Sequence, residues 1–212
     1  MTRGRFIALE GGEGVGKSTQ AGLLVEALEA RGVEVVRTRE PGGTIGSEAI
    51  RKLLLHPPGE GWNARTEALL FAAARADHVD KLIAPALEEG KWVVCDRYVD
   101  STRAYQGGGG GLDDALIMQL HSIGSGGLLP DLTLLIEISS PEAQARLRER
   151  DGNNSDAIGG RDEAYHASVN AAFSRFADEE PDRFARIDGE GSPAQIHARI
   201  LKAVDPMLET AP

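Results

Sequence analysis

The chain has 212 residues, enough for one α/β domain with a substantial core. Its 33 acidic side chains outnumber its 23 lysines and arginines, for a formal net charge of −10. That balance excludes a general nucleic-acid binder, which would show a basic face, and a hydrophobic fraction of 41% is ordinary for a globular chain.

Phe6 to Glu10 is a short apolar run that reads as a buried strand, and Thr19 to Ala30 has the pattern of a helix. Further strands are expected at Val33 to Thr38, Trp92 to Asp96, Leu132 to Ile138 and Arg183 to Asp188. Helices are expected at Gly46 to Leu55, Thr66 to Glu89, Asp113 to Ile123, Pro141 to Arg150, Glu163 to Asp178 and Pro193 to Leu208. Strands alternating with helices predict an α/β fold, a five-stranded parallel sheet covered on both faces. No repeat or domain-sized linker interrupts it, so residues 1–212 are expected to form a single domain. Three segments are expected to be mobile: the five glycines Gly107 to Gly111, the turn Gly124 to Gly127, and the polar stretch Asp151 to Gly160. Arginines flank the last of these (Arg146, Arg148 and Arg150 before it, Arg161 after it), which suits either a solvated surface loop or a lid over bound phosphates. Cys95 is the only cysteine, so no internal disulfide is possible and a reducing compartment fits. No signal-peptide core or bilayer-spanning segment is seen, so a cytoplasmic location without a membrane partner is expected.

The most specific signal is Gly11-Gly12-Glu13-Gly14-Val15-Gly16-Lys17-Ser18, which matches the nucleotide phosphate loop G-x-x-x-x-G-K-[ST]. Strand before it and helix after it are the context this chemistry needs. Glycines let backbone N–H groups curl round phosphate oxygens, and the helix N-terminus adds partial positive charge. Lys17 would reach the β- and γ-phosphates of ATP, and the Ser18 hydroxyl would bind Mg²⁺.

Ligands of open parallel sheets bind at the carboxyl ends of the strands, where Glu10, Arg39-Glu40, Asp96-Arg97 and Asp188 lie. Asp96 suits a Mg²⁺-associated acid, a helix cap or a partner of Arg97. Arg97 suits a bidentate grip on phosphate or a structural pairing with Asp96. Phe71 and Arg75 share a helix face at i and i+4, where an aromatic ring and a guanidinium suit a stacked base with a carbonyl edge. Arg39 to Gly43 reads as a rigid loop, and the bond before Pro41 is a candidate for cis.

Together these motifs resemble the thymidylate kinase family. The likeness is carried by Glu10-Gly11, Arg39-Glu40-Pro41-Gly42-Gly43-Thr44, Leu70-Phe71-Ala72-Ala73-Ala74-Arg75, Asp96-Arg97-Tyr98, Ser101-Thr102, Ala104-Tyr105-Gln106-Gly107 and Pro130-Asp131-Leu132-Thr133, in the right order from about residue 5 to 208. The resemblance implies a three-layer kinase fold that uses ATP, Mg²⁺ and thymidine monophosphate, and usually a homodimer. It implies that Gly11 to Thr19, including Lys17, Ser18 and Thr19, hold ATP phosphates and metal. Glu10 would touch the acceptor's sugar, phosphate or metal shell, and Arg39, Glu40 and Arg97 would surround the acceptor phosphate and metal. Phe71 would stack on thymine, Arg75 would donate to its O4, and Thr102 and Gln106 would meet the base edge. Tyr105 would crowd the 2′ position, and Pro41 and Ser101, inside the matching motifs, would line the acceptor site. Glu13, Gly14 and Val15 are not basic, so the resemblance places the charge-neutralising arginines in a lid at about residues 150–162, as Arg150 and Arg161, with Arg146 flanking the adenine. Gly110 stands where relatives often have arginine.

Overall fold

A computed structural model of the chain describes residues 3–138 and 157–209. The expected helix Pro141 to Arg150, together with Arg146, Arg148 and Arg150, lies outside the described residues. Strands β1 (Phe6–Glu10), β2 (Val35–Arg39), β3 (Trp92–Asp96), β4 (Leu132–Glu137) and β5 (Phe184–Asp188) form one parallel sheet in the order β2-β3-β1-β4-β5. Helices α1 (Lys17–Glu29), α2 (Ile45–Leu55), α3 (Ala64–His78), α4 (Ala84–Glu88), α5 (Val99–Thr102), α6 (Asp114–Ser125), α7 (Glu163–Glu179) and α8 (Pro193–Glu209) cover it.

Strand alternation sorts the core into layers. From β1, Ile7 and Leu9 pack with Leu24 and Leu28 of α1 and Ile200 and Val204 of α8. Phe6 and Ala8 point the other way, towards Ile83, Leu87 and Tyr98. A third cluster joins Leu135 of β4 to Phe173 and Phe176 of α7. Side-chain caps start several helices: Thr44 accepts from Ser47 N, Asn63 from Thr66 N, and Asp162 from Tyr165 N.

Five expectations need correction. Val33 and Glu34 do not begin β2, because Val33 N donates to Leu28 O and closes the turn after α1. The helix expected over Thr66 to Glu89 is not uniform: Val79–Ile83 forms a π-helical turn between α3 and α4. Pro85 follows it and has no N–H to donate, so the widened turn absorbs the missing bond. Gly124 and Ser125 belong to α6, and the turn is confined to Gly126 and Gly127, at φ 60° and 71°.

The five-glycine run is the largest correction. Arg103–Gly109 is a π-helical segment, and Gly107 is buried. A Cβ on Gly108 would lie 2.5 Å from Ala172 Cβ, and one on Gly109 would lie 2.4 Å from Tyr165 Cε2. The glycines serve close approach to α7 rather than mobility. Gly110 is equally crowded, since a Cβ there would meet Ala64 Cβ at 2.7 Å. Part of the polar stretch also departs from expectation, because Ile158 is buried in the third core cluster.

Candidate active site

The loop between β1 and α1 holds the phosphate-loop motif. Gly11, Gly14 and Gly16 take φ of 136°, 75° and 94°, a region costly for side-chain-bearing residues. A Cβ on Gly11 would also lie 2.4 Å from the Ile136 carbonyl oxygen, so the loop is drawn tightly onto β4. Lys17 folds back over it and donates to Gly11 O at 3.1 Å and Gly12 O at 2.6 Å. Burial, then the Arg97 charge, lowers the Lys17 ammonium to about 8.

The registers of β1 and β3 set Asp96 beside Leu9, at the mouth of the loop. The Ser18 hydroxyl donates to the Asp96 carboxylate. The side-chain partner of Asp96 is thus a hydroxyl that none of the three readings of this residue included. A hydroxyl and a carboxylate in contact, next to a phosphate cradle, fit Mg²⁺, which takes a few protein oxygens and fills its octahedron with phosphate oxygens and water. Among the described residues no group of three or more His, Cys, Asp or Glu could hold a metal by itself.

Arg97 follows with φ 68°, the one positive φ outside glycine among the described residues. That turn throws its guanidinium back across the loop, where it donates to Gly11 O at 3.1 Å, Ser101 Oγ at 3.0 Å, Glu13 Oε1 at 2.6 Å and Tyr105 Oη at 3.1 Å. It also lies 5.0 Å from the Tyr105 ring centroid.

A cavity of about 480 Å³ opens from this loop. Gly14, Lys17, Ser18 and Thr19 line one end, and Phe71, Arg75 and Gln106 line its wall. Arg39, Glu40, Pro41, Asp96, Arg97, Ser101, Thr102 and Tyr105 also reach it. The Glu40–Pro41 bond is cis. The volume suits a small-molecule ligand, and its two ends differ chemically: lysine, arginine and backbone amides at one, a ring, an amide and a single guanidinium at the other.

A family-model match to thymidylate kinase spans residues 9–200. The chain belongs to the thymidylate kinase family. It is 57% identical to the thymidylate kinase of Rhizorhabdus wittichii, over 97% of this chain and 99% of that one. Identity to the thymidylate kinase of Chromohalobacter salexigens is 50%, over 94% of each chain. The crystal structure of thymidylate kinase from Ehrlichia chaffeensis superposes with a TM-score of 0.76 at 34% identity, covering 95% of this chain and 99% of that chain.

Among the residues expected for a thymidylate kinase, two carboxylates are held by the protein's own donors. Glu10 is fully buried and does not line the cavity; it accepts from Tyr98 N at 2.7 Å, Ser101 N at 3.1 Å and Ser101 Oγ at 2.6 Å. Burial, then repulsion from Asp100, raises its carboxyl to about 7. Those three hydrogen bonds make it the anchor of the β3–α5 turn. Glu40 does line the cavity. Its carboxylate is turned to Arg75 Nε at 2.7 Å and His78 Nδ1 at 3.1 Å, where it orients Arg75. Arg75 itself is 2% exposed, against the generic expectation of a surface arginine, and its Nη2 donates to Thr102 Oγ1 at 2.9 Å.

Arg161 lies outside this cavity. It lines a neighbouring one of about 540 Å³ that touches Gly11, Gly12, Glu13 and Val15 from the other side. It pairs with Glu67 and lies 4.5 Å from the Tyr165 ring centroid. Sequence reasoning missed several residues that shape the site. His78 is fully buried between Glu40 and Thr38 Oγ1, the latter at 2.7 Å. Arg51 lines the cavity and donates to Pro41 O at 2.7 Å. Glu67 holds Gln106 Nε2 at 3.0 Å. Spacing could have pointed to His78, which follows Arg75 by three on one helix, but Arg51 and Glu67 have no signal short of the fold.

Proposed function

We propose that this chain transfers the γ-phosphoryl group of ATP to thymidine monophosphate, giving thymidine diphosphate and ADP. One observation carries the reading: the phosphate loop and the Phe71, Arg75 and Gln106 wall open into a single cavity. A nucleotide stacked on Phe71 and hydrogen-bonded by Arg75 would extend its phosphate towards Lys17 and Arg97. Its phosphate oxygen is already anionic near neutral pH, so attack on ATP needs no strong general base, and positioning with charge neutralisation supplies the acceleration. Lys17, freed from its two carbonyls, would hold the transferring group, and Arg97, freed from Glu13, would grip the acceptor phosphate. Mg²⁺, held by Ser18 and Asp96 with the phosphates, would supply further charge neutralisation. Arg161, and Arg150 and Arg146 outside the described residues, are proposed for the donor side.

The remaining site residues keep their family roles as proposals: Arg39, Pro41, Ser101, Thr102 and Tyr105 on the acceptor, and Gly11 to Thr19 on ATP. A single domain is proposed because one sheet draws strands from Phe6 through Asp188. A homodimer is proposed through α3 and α6, whose Leu69, Leu116 and Ile123 are 51%, 54% and 84% exposed. Sedimentation at micromolar concentration tests it. No described helix is long and apolar enough to cross a membrane; a cytoplasmic location is proposed from the lone, buried Cys95.

ADP release with thymidylate, deoxyuridylate, cytidylate and adenylate, with and without EDTA, tests the central reading. The expected result is fastest release with thymidylate and none with metal removed. No acceptor-stimulated release, or adenylate matching thymidylate, would overturn it.

A further inference from the structure

Glu67 lies in the first turn of α3 and is 4% exposed. Its carboxylate joins two distant parts of the chain. Oε2 accepts from Gln106 Nε2 at 3.0 Å, and Oε1 accepts from Arg161, which fixes how the carboxylate is turned. A carboxylate paired with an arginine offers no donor. Gln106 can therefore face Glu67 only with its NH₂ end, since the reversed amide would set oxygen against oxygen. That leaves Oε1 as the free end of the amide, and it is buried without a partner among the described residues.

Gln106 lines the cavity together with Arg75 and Phe71. Arg75 spends Nε on Glu40 and Nη2 on Thr102, which leaves Nη1 as a donor. The wall thus carries one donor and one acceptor. A pyrimidine with a carbonyl at position 4 and N–H at position 3 presents the complementary pair. A 4-aminopyrimidine presents a donor at position 4 and a bare nitrogen at position 3, so it matches neither group. Sites built to hydrogen-bond a group reject analogues that leave buried polar atoms unpaired.

We infer that Glu67 is a specificity-determining, positioning residue: by locking the Gln106 amide with its oxygen free, it selects 4-oxo over 4-amino pyrimidine nucleotides as acceptors. The inference rests on the acceptor site proposed above. Glu67→Gln removes the lock, because an amide at position 67 can donate to Gln106 Oε1 and let that side chain turn over. Combining it with Gln106→Glu restores an acceptor-only group at 106, held by the amide at 67.

The test is kcat/KM for thymidylate divided by kcat/KM for deoxycytidylate. In Glu67→Gln the ratio is expected to fall about tenfold, and the double variant to regain selectivity. A fall of less than about threefold in Glu67→Gln, or a double variant no more selective than the single one, overturns the inference. A purely structural role would lower both rates together and leave the ratio untouched. Should Glu67→Gln fail to fold by circular dichroism, a crystal structure of the unaltered protein with thymidylate decides. Gln106 Oε1 meeting the N3–H, directly or through one water, supports the lock; the amide nitrogen facing the base refutes it. The unaltered protein's ratio separates the two levels. If it phosphorylates no pyrimidine nucleotide, the proposed function fails; if it is selective and Glu67→Gln remains so, only the role of Glu67 fails.

Discussion

Asp100→Asn should destabilise the fold without touching the cavity. Asp100 is fully buried and accepts from Arg103 Nη1 at 3.0 Å and from Arg183 Nη1 and Nη2 at 2.6 and 2.9 Å. The two arginines also pair with Glu180, and Arg103 pairs with Asp114. Breaking a buried pair by removing one partner costs roughly 3–5 kcal/mol. Here Asp114 and Glu180 still neutralise both guanidiniums, but they are 36% and 30% exposed, so the buried side of each arginine is left facing an amide. That argues for the lower end, about 3 kcal/mol. For a chain of this length it corresponds to a fall in Tm of roughly 6–12 °C. Urea unfolding followed by circular dichroism measures it. The pH dependence supplies a second check. Burial alone would raise the Asp100 carboxyl, but Arg183 and Arg103 more than offset this and hold it below its ordinary 3.8. A depressed value in the folded state gives a contribution that is complete above 3.8 and is lost as pH falls through the folded value. Stability of the variant should therefore depend less steeply on pH on the acid side. A loss under about 1 kcal/mol, the scale of an exposed pair, with an unchanged acid profile, would refute the account of Asp100 as the buried keystone of this cluster.

Lys17→Met should lower turnover by at least about a thousandfold with an unchanged circular dichroism spectrum, as loss of a major transition-state charge partner does; coupled ADP assays check this. In the intact protein, ATP affinity measured by calorimetry should weaken as pH rises through about 8, where the Lys17 ammonium loses its charge. His78→Ala should release Glu40 and hence Arg75, raising KM for thymidylate about tenfold, the effect of one lost hydrogen bond, while kcat changes much less. Gly109→Ala forces a Cβ to 2.4 Å from the Tyr165 ring and should cost about 1–3 kcal/mol in thermal or urea unfolding.

Local signals were legible where chemistry is encoded by contiguous residues. The phosphate loop was readable because an apolar strand, a glycine-rich turn and a helix follow one another in sequence, and β3 and β4 because each is a short run rich in apolar residues. Phe71 and Arg75 were readable as a pair because one helix turn joins them. The glycine run misled because composition registers glycine as freedom, whereas Gly108 and Gly109 are bare so that Ala172 and Tyr165 can press against the backbone. Val33 misled because its apolar side chain fits a strand, while its N–H is already committed to Leu28. Glu40 was placed near the acceptor phosphate and metal by the family resemblance alone. Only the tertiary fold shows Arg75 and His78 taking its oxygens, and only the fold brings Glu67, Gln106 and Arg161 together across a sequence separation of 94 residues.

Lys17 arrives at the reaction already solvated, by the carbonyls of Gly11 and Gly12. An incoming triphosphate is therefore not rescuing a stranded charge but bidding against two oxygens that the chain itself provides. Only the surplus of phosphate over carbonyl becomes affinity, since the gross strength of the new contacts is offset by the old ones given up. The same exchange runs backwards after transfer, when the loop's own oxygens stand ready to take the ammonium back and the spent nucleotide can leave.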